Sequence, residues 1–238
     1  AEISVKYSNY NHIINDTDLQ SLQTDDRWKN LIELVEANKL ELEKNYDKPL
    51  VAQLDSIYQE DQKYRRELQG IEEEFGRDSD ELKNHWKIIQ EKDSLNLIKV
   101  QAILDTRGWL GSDVVGPQGN AALFLVIQHS TLEIQEKYLP MMRTAVEKGN
   151  ASGSSLALLE DRVALEKGEM QVYGSQIGRN TETGDYYVLP LADPENVDQR
   201  RASVGLSPIQ DYVQNWGLTW DIEAYKKELP AIIEWNKK

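Results

Sequence analysis

Apolar residues recur at helical spacing along most of this chain, and several of the stripes carry charges where a core position falls. From Leu50 to Leu68 the apolar positions are Leu50, Leu54, Ile57, Tyr58 and Leu68, with Asp61 and Arg65 on the same line. The next stripe, Leu82, Trp86, Ile89, Val100 and Ile103, shares its face with Asp93 and Asn96. An unpaired charge in a core is too costly to keep, so these groups must be paired, hydrogen-bonded or turned toward a cavity. The pattern predicts a polar-lined pocket inside a helical domain.

The remaining punctuation divides the chain. Residues 1–46 read as a helical lead-in, in which Asp25 or Asp26 caps a helix carrying Trp28, Leu31, Ile32, Val35 and Leu42. The main α domain, 47–238, opens with a helix from Pro49 to Leu68. A charged turn from Gly70 to Asp80 follows, then a long helix from Asp80 to Asp105 that stops at Gly108. The glycine-rich stretch Arg107 to Gly119 reads as a loop. AALFLVIQ after Asn120 is apolar all round and should be a buried helix, and Ser130 with Glu133 forms a capping box for its successor, broken at Pro140. One more helix, capped among Ser152, Ser154 and Ser155, ends at Gly168. Between 170 and 191, MQVYGSQI and YYVLPL flank a turn at Asn180 to Asp185 and predict a β-hairpin. Asp193-Pro194, Ser207-Pro208 and Asp221 each start a short helix. The fold class is thus mainly α, a helical domain with one small β-hairpin.

Composition narrows the function classes. A net charge of -14 disfavours nucleic acid and anionic membranes as partners, because the field repels phosphates at long range. The absence of cysteine excludes disulfides, thiolate catalysis and Cys-ligated metals. No apolar run approaches the ~18 residues of a membrane span. Walker, nucleophile-elbow, dinucleotide-binding and zincin motifs are missing, and no i, i+4 spacing joins His129 to Asp61, Asp93 or Asp161, so neither cofactor nor metal is expected. The chain opens at Ala1 without Met, which reads as a processed product or a piece of a longer chain. An extracytoplasmic location after removal of a signal peptide is one expectation.

Candidate chemistry gathers on a few side chains. His129 ends the apolar helix beside Gln128, and a histidine in a half-buried junction suits general acid/base work, with Asp61 as its catalytic partner. Arg65, Asp93, Asn96, Asp161, Arg162, Gln171, Tyr173 and Gln176 are expected to line the ligand site with Gln128. Asp161 and Arg162 are adjacent, so their side chains diverge by about 100° and one faces the pocket while the other covers its rim. His12 and His85 read as surface residues, and Asp198, Arg200 and Arg201 as a solvated face.

The string DQKYR (61–65), DSLN (93–96), RGW (107–109), QHS (128–130), EDRV (160–163), QVYGSQ (171–176) and VDQRRASVGL (197–206) resembles a bacterial domain family of unknown function. Members often carry QHAD where this chain has QHST, and YGTQ where it has YGSQ; some follow tetratricopeptide-like helices, which the lead-in resembles. The resemblance implies that the polar motifs define the family, but supplies no activity. Two functions stay open. One is a His129-dependent hydrolase or transferase acting on a small anionic or glycan-like ligand. The other is a non-catalytic binding or scaffold module whose polar network only locks the fold. In the second, Trp216, Trp220, Tyr225 and Trp235 either dock a protein partner or staple the last helix.

Overall fold

The computed structural model describes residues 6–180 and 183–236. These are mainly α-helical, with a two-stranded antiparallel hairpin. The lead-in consists of α1 (Tyr10–Asn15), a 3-10 turn (Thr17–Leu22) and α2 (Asp26–Leu42), the last capped by Asp25. The body begins with the helices α3 (Lys48–Phe75) and α4 (Asp80–Arg107), which fold back on each other. α5 (Ser112–Gln128), α6 (Leu132–Glu147) and α7 (Gly153–Glu166) complete one core, centred on Leu54, Ile57, Val100, Leu123, Ile127, Met142 and Leu159.

A second core lies C-terminal to it. The strands β1 (Ile177–Arg179) and β2 (Tyr186–Val188) pair with Gly178 opposite Tyr187. A 3-10 turn (Pro194–Asn196) leads into α8 (Val197–Ser203), followed by α9 (Ile209–Val213), a second 3-10 turn (Gln214–Trp216) and α10 (Ile222–Trp235). Val188, Leu191, Val197, Ile209, Val213, Tyr225 and Ile232 bury their side chains together.

Several boundaries depart from the sequence pattern for identifiable reasons. α3 runs through Gly70, whose cost of about 1 kcal/mol in a helix is too small to end it, and stops only at Gly76 with φ 91°. The stretch Arg107 to Gly119 is not a loop: α5 starts at Ser112 and kinks at Gly116, φ 71°. Gly119 lets it press on α3, since a Cβ there would stand 3.3 Å from Leu54. α6 continues through Pro140, which sits on the exposed face, where the freed carbonyl of Glu136 can be hydrated. Thr131, rather than Ser130, is the N-cap of α6, because the Ser130 hydroxyl donates to the Ile127 carbonyl. Gln171 to Gln176 is not a strand; only 177–179 is.

Trp86 is 45% exposed, and the buried stripe of α4 runs through Leu82, His85, Ile89, Asn96, Val100 and Ile103. His85 is therefore buried rather than superficial, with Nε2 2.7 Å from the Tyr64 carbonyl.

Trp235 and Tyr225 tie α10 to the hairpin and the segment that leaves it. Trp235 packs edge-on against Tyr187, Trp220 tilts over Tyr225, and Trp216 meets Tyr212 edge-on. Tyr225 is buried, so it cannot dock a partner. Its hydroxyl donates to the Leu189 carbonyl at 3.0 Å and accepts from the Leu191 N–H at 2.6 Å. Burial pushes that phenol up to about 12, against the effect of the Leu191 hydrogen bond. Tyr225→Phe leaves the buried Leu191 N–H without an acceptor and should destabilise the protein by about 1–2 kcal/mol in urea unfolding. A change within 0.3 kcal/mol would mean that the bridge contributes nothing.

Candidate functional site

The periodicity of α3 turns Asp61 inward. It follows Ile57 by four residues and Leu54 by seven, and it is as buried as they are. α5 ends at the same level, with His129 as its C-cap. The two side chains meet across 68 residues of chain, with His129 Nδ1 3.0 Å from Asp61 Oδ1. Gln62 Nε2 donates to Asp61 Oδ2 at 2.7 Å. Arg65, one turn on, donates to the Asp61 carbonyl at 2.9 Å and lies 3.4 Å from its carboxylate. The other end of that guanidinium reaches Asp93 Oδ2 at 2.7 Å, which ties α3 to α4.

Burial works against ionisation of Asp61. The hydrogen bond and charge of His129, helped by Arg65 and Gln62, outweigh it and hold the carboxyl below its ordinary range. An ionised Asp61 can only accept, so Nδ1 of His129 carries the proton toward it. Nε2, the base nitrogen in that tautomer, has no hydrogen-bond partner among the described residues. His129 keeps 19% of its side chain exposed, enough for a ligand to reach it.

Other polar side chains on these helices carry buried atoms with no hydrogen-bond partner among the described residues. Arg65–Asp93 and Glu60–Lys99 fix the register of α3 against α4 and bring Asn96 level with Asp61 and Gln62. Asn96 is 0% exposed, and neither its Oδ1 nor its Nδ2 has a hydrogen-bond partner. Asp93 Oδ1 and Gln128 Oε1 are likewise unpartnered, although Gln128 Nε2 reaches the Leu158 carbonyl at 3.4 Å.

Arg162 stands one turn beyond Leu158 on α7. Its Nε is buried and unpartnered, and its guanidinium forms no ion pair among the described residues. Burial lowers its pKa; Glu166 attracts it from one turn away, while Arg65 repels it. Two guanidiniums therefore share one neighbourhood, and only Arg65 has its carboxylates. Among the described residues no three His, Asp or Glu side chains gather as metal ligands would.

The other expected site residues have different work. Asp161 turns away from Arg162 and accepts from the backbone N–H groups of Val172, Tyr173 and Ser175 at 2.7–3.2 Å. Gln171, fully buried, donates to the Gln176 and Leu189 carbonyls and accepts from the Gln176 N–H. Tyr173 lines a separate groove of about 490 Å³ between α6 and α7, beside Arg143 and Val163. Gln176 does approach the site, since its Nε2 is 3.4 Å from the same Leu158 carbonyl that Gln128 reaches.

Arg201 and Arg200 are not a solvated face. Arg201 is buried and donates to the Ser207 and Tyr173 carbonyls, and Arg200 to those of Val172, Ala192 and Asp193. Asp198 accepts from the Ile209 N–H.

The profile of a family of unknown function, DUF6624, matches residues 50–223. The chain belongs to the DUF6624 family. No curated protein and no solved structure matches it. In this DUF6624 member the matched segment spans α3 to the start of α10 and so contains every site side chain described above, while α1 and α2 lie outside it.

Two contributors had no signal in the sequence pattern. Gln62 sits off the apolar stripe yet bonds Asp61. Tyr212, on the short α9, donates to the Ser175 carbonyl at 2.6 Å and lies under the Arg201 guanidinium at 4.8 Å.

Proposed function

We propose that this DUF6624 chain is an enzyme that moves a proton in hydrolysis or group transfer on a small anionic ligand, with His129 as general acid/base oriented by Asp61. The observation that carries the reading is the Asp61–His129 pair with its unpartnered Nε2; Arg162, close enough to Arg65 to be repelled by it and without an ion pair among the described residues, supports it. In the tautomer set by Asp61, the Nε2 lone pair takes a proton from water or from a ligand hydroxyl. The imidazolium so formed is stabilised by the Asp61 carboxylate and returns the proton to the leaving group. Arg162 holds the anionic group of the ligand, and Arg65, already committed to Asp61 and Asp93, positions the acid/base pair.

A half-buried cation without a partner destabilises a fold unless it is kept for a ligand. Arg162→Met should therefore raise stability by about 1 kcal/mol in urea unfolding while removing ligand-induced stabilisation in a metabolite thermal-shift screen. A destabilised Arg162→Met protein would make the arginine structural and sink the reading. His129→Gln should remain folded and keep ligand binding while losing turnover of the ligand that the screen identifies. Retained turnover removes His129 from the chemistry.

A scaffold reading is favoured by Asp161, Gln171 and Arg201, whose hydrogen bonds are spent on backbone. It accounts for those residues but leaves Arg162, Asn96 and the free Nε2 of His129 without a role.

A further inference from the structure

The C-terminal core carries an opening of its own, lined by none of the residues around His129. Between β2, the segment 218–221 and α10 lies a pocket of about 220 Å³. Four aromatic side chains line it, Tyr186, Tyr187, Trp220 and Tyr225, together with the buried Val213 and Ile232. Two carboxylates, Asp221 and Glu228, share the lining, which among the described residues includes no lysine, arginine or histidine. Lys226, next to Tyr225 in the chain, is bound instead to Glu195 at 2.7 Å and Glu223 at 3.6 Å.

The polar groups have limited capacity left. Asp221 Oδ1 caps α10 by accepting from the Ala224 N–H at 2.9 Å, which leaves Oδ2. Glu228 is exposed and forms no ion pair among the described residues. The Tyr225 hydroxyl is committed to Leu189 and Leu191, so this residue offers the pocket only its ring. Trp220 tilts against that ring, with centroids 5.0 Å apart and planes at 42°. Tyr186 already carries one cation, the Arg179 guanidinium, 5.2 Å from its ring centroid. Aromatic rings and carboxylates with no cation among them attract a positive group and repel an anion. A primary ammonium brings three N–H donors to be satisfied, whereas most of this lining is aromatic or aliphatic. Methyl groups on the nitrogen remove that demand and pack on the rings instead. The volume falls below the roughly 300 Å³ at which sites for whole ligands begin, so the pocket takes a head group.

We propose that this pocket binds a quaternary ammonium head group, with its methyl groups against Tyr187 and Trp220 and its charge balanced by Asp221 and Glu228. The test is calorimetry of the full chain at neutral pH with four probes: choline, its neutral isostere 3,3-dimethylbutan-1-ol, ethanolamine, and an acetylated, amidated trimethyl-lysine. Choline should bind about tenfold more tightly than the isostere, which isolates the charge, and about tenfold more tightly than ethanolamine, which isolates the methyl groups. Trp220→Leu should weaken choline about tenfold. Glu228→Gln, a change at an exposed position, should weaken it about threefold.

Choline and trimethyl-lysine share the head group, so the tighter of the two tells whether it arrives on a free small molecule or on a protein side chain. Equal binding of the neutral isostere reduces the pocket to an apolar gap, and tighter binding of ethanolamine makes it a site for an unmethylated amine; either overturns the assignment. So does choline binding that neither Trp220→Leu nor Glu228→Gln weakens, or a lack of saturable binding by both trimethylated probes. Urea unfolding of each variant separates loss of the pocket from loss of the fold, and if Trp220→Leu does not fold, Glu228→Gln alone decides.

Discussion

Asp161→Ala should destabilise the protein by roughly 3–5 kcal/mol, the largest single-residue loss expected outside the apolar core. The carboxylate accepts from three backbone N–H groups, those of Val172, Tyr173 and Ser175, and is itself fully buried. Alanine leaves all three donors without the carboxylate, and the Ser175 N–H, whose bond is the buried one, is the hardest for water to satisfy. The losses fall short of a simple sum because the 172–175 segment can relax, so the upper end of the range is a ceiling.

Other side chains, Arg200, Arg201 and Tyr212, hold the carbonyls of this segment, whereas Asp161 holds its N–H groups. Gly174 sits at φ 65°, and the Tyr173 carbonyl depends on Arg201. Asp161→Asn should lose about half as much, since one oxygen still accepts but the amide nitrogen faces N–H groups. Urea unfolding gives the totals, and hydrogen exchange gives the cause: the amides of Val172, Tyr173 and Ser175 should lose protection before those of α7. A loss below 1 kcal/mol with those amides still protected would refute this account of the loop.

The adjacent Arg162 shows how much of this arrangement the sequence held. Neighbouring helical residues diverge by about 100°, so the pair was bound to split between two environments. The stripe could not say which of them met the site. What decides it is the 172–175 backbone, whose N–H groups converge on Asp161 through tertiary packing. The same applies to Arg201, where Asp198, Arg200 and Arg201 on one short helix read as solvated. Its burial depends on carbonyls of Tyr173 and Ser207 that arrive from other segments.

Asp61 was legible because a charge on a deep apolar stripe needs a partner wherever the chain goes. Its partner, 68 residues away, was legible only as a histidine at a helix junction. Trp86 failed for a local reason. It lies one position off a stripe in which His85 occupies the buried place, and size misled where spacing was correct.

Asp61→Asn tests the heart of the site, and its signature is a pH dependence. At neutral pH the variant should be less stable by about 3 kcal/mol, because His129 loses the charge of its partner while Gln62 Nε2 meets either a weaker acceptor or another amide. Arg65 keeps Asp93, so the network does not collapse entirely.

The carboxyl is held below the ordinary value of 3.8 in the folded protein, since the His129 hydrogen bond and charge, with Arg65 and Gln62, outweigh burial. The unfolded chain therefore takes up a proton on Asp61 at a higher pH than the native state does. The stabilisation is fully present above about pH 4 and is lost as pH falls through the lower folded value. Other carboxylates, such as Asp47 beside Arg107, titrate in the same range, so the parent alone is uninformative. The difference between parent and Asp61→Asn isolates the group: close to 3 kcal/mol at pH 7, and shrinking steadily below pH 4. A difference that stays constant down to pH 3, or grows there, would mean that Asp61 is not the ionised partner of His129. The tautomer that exposes Nε2 as a base would then have no support.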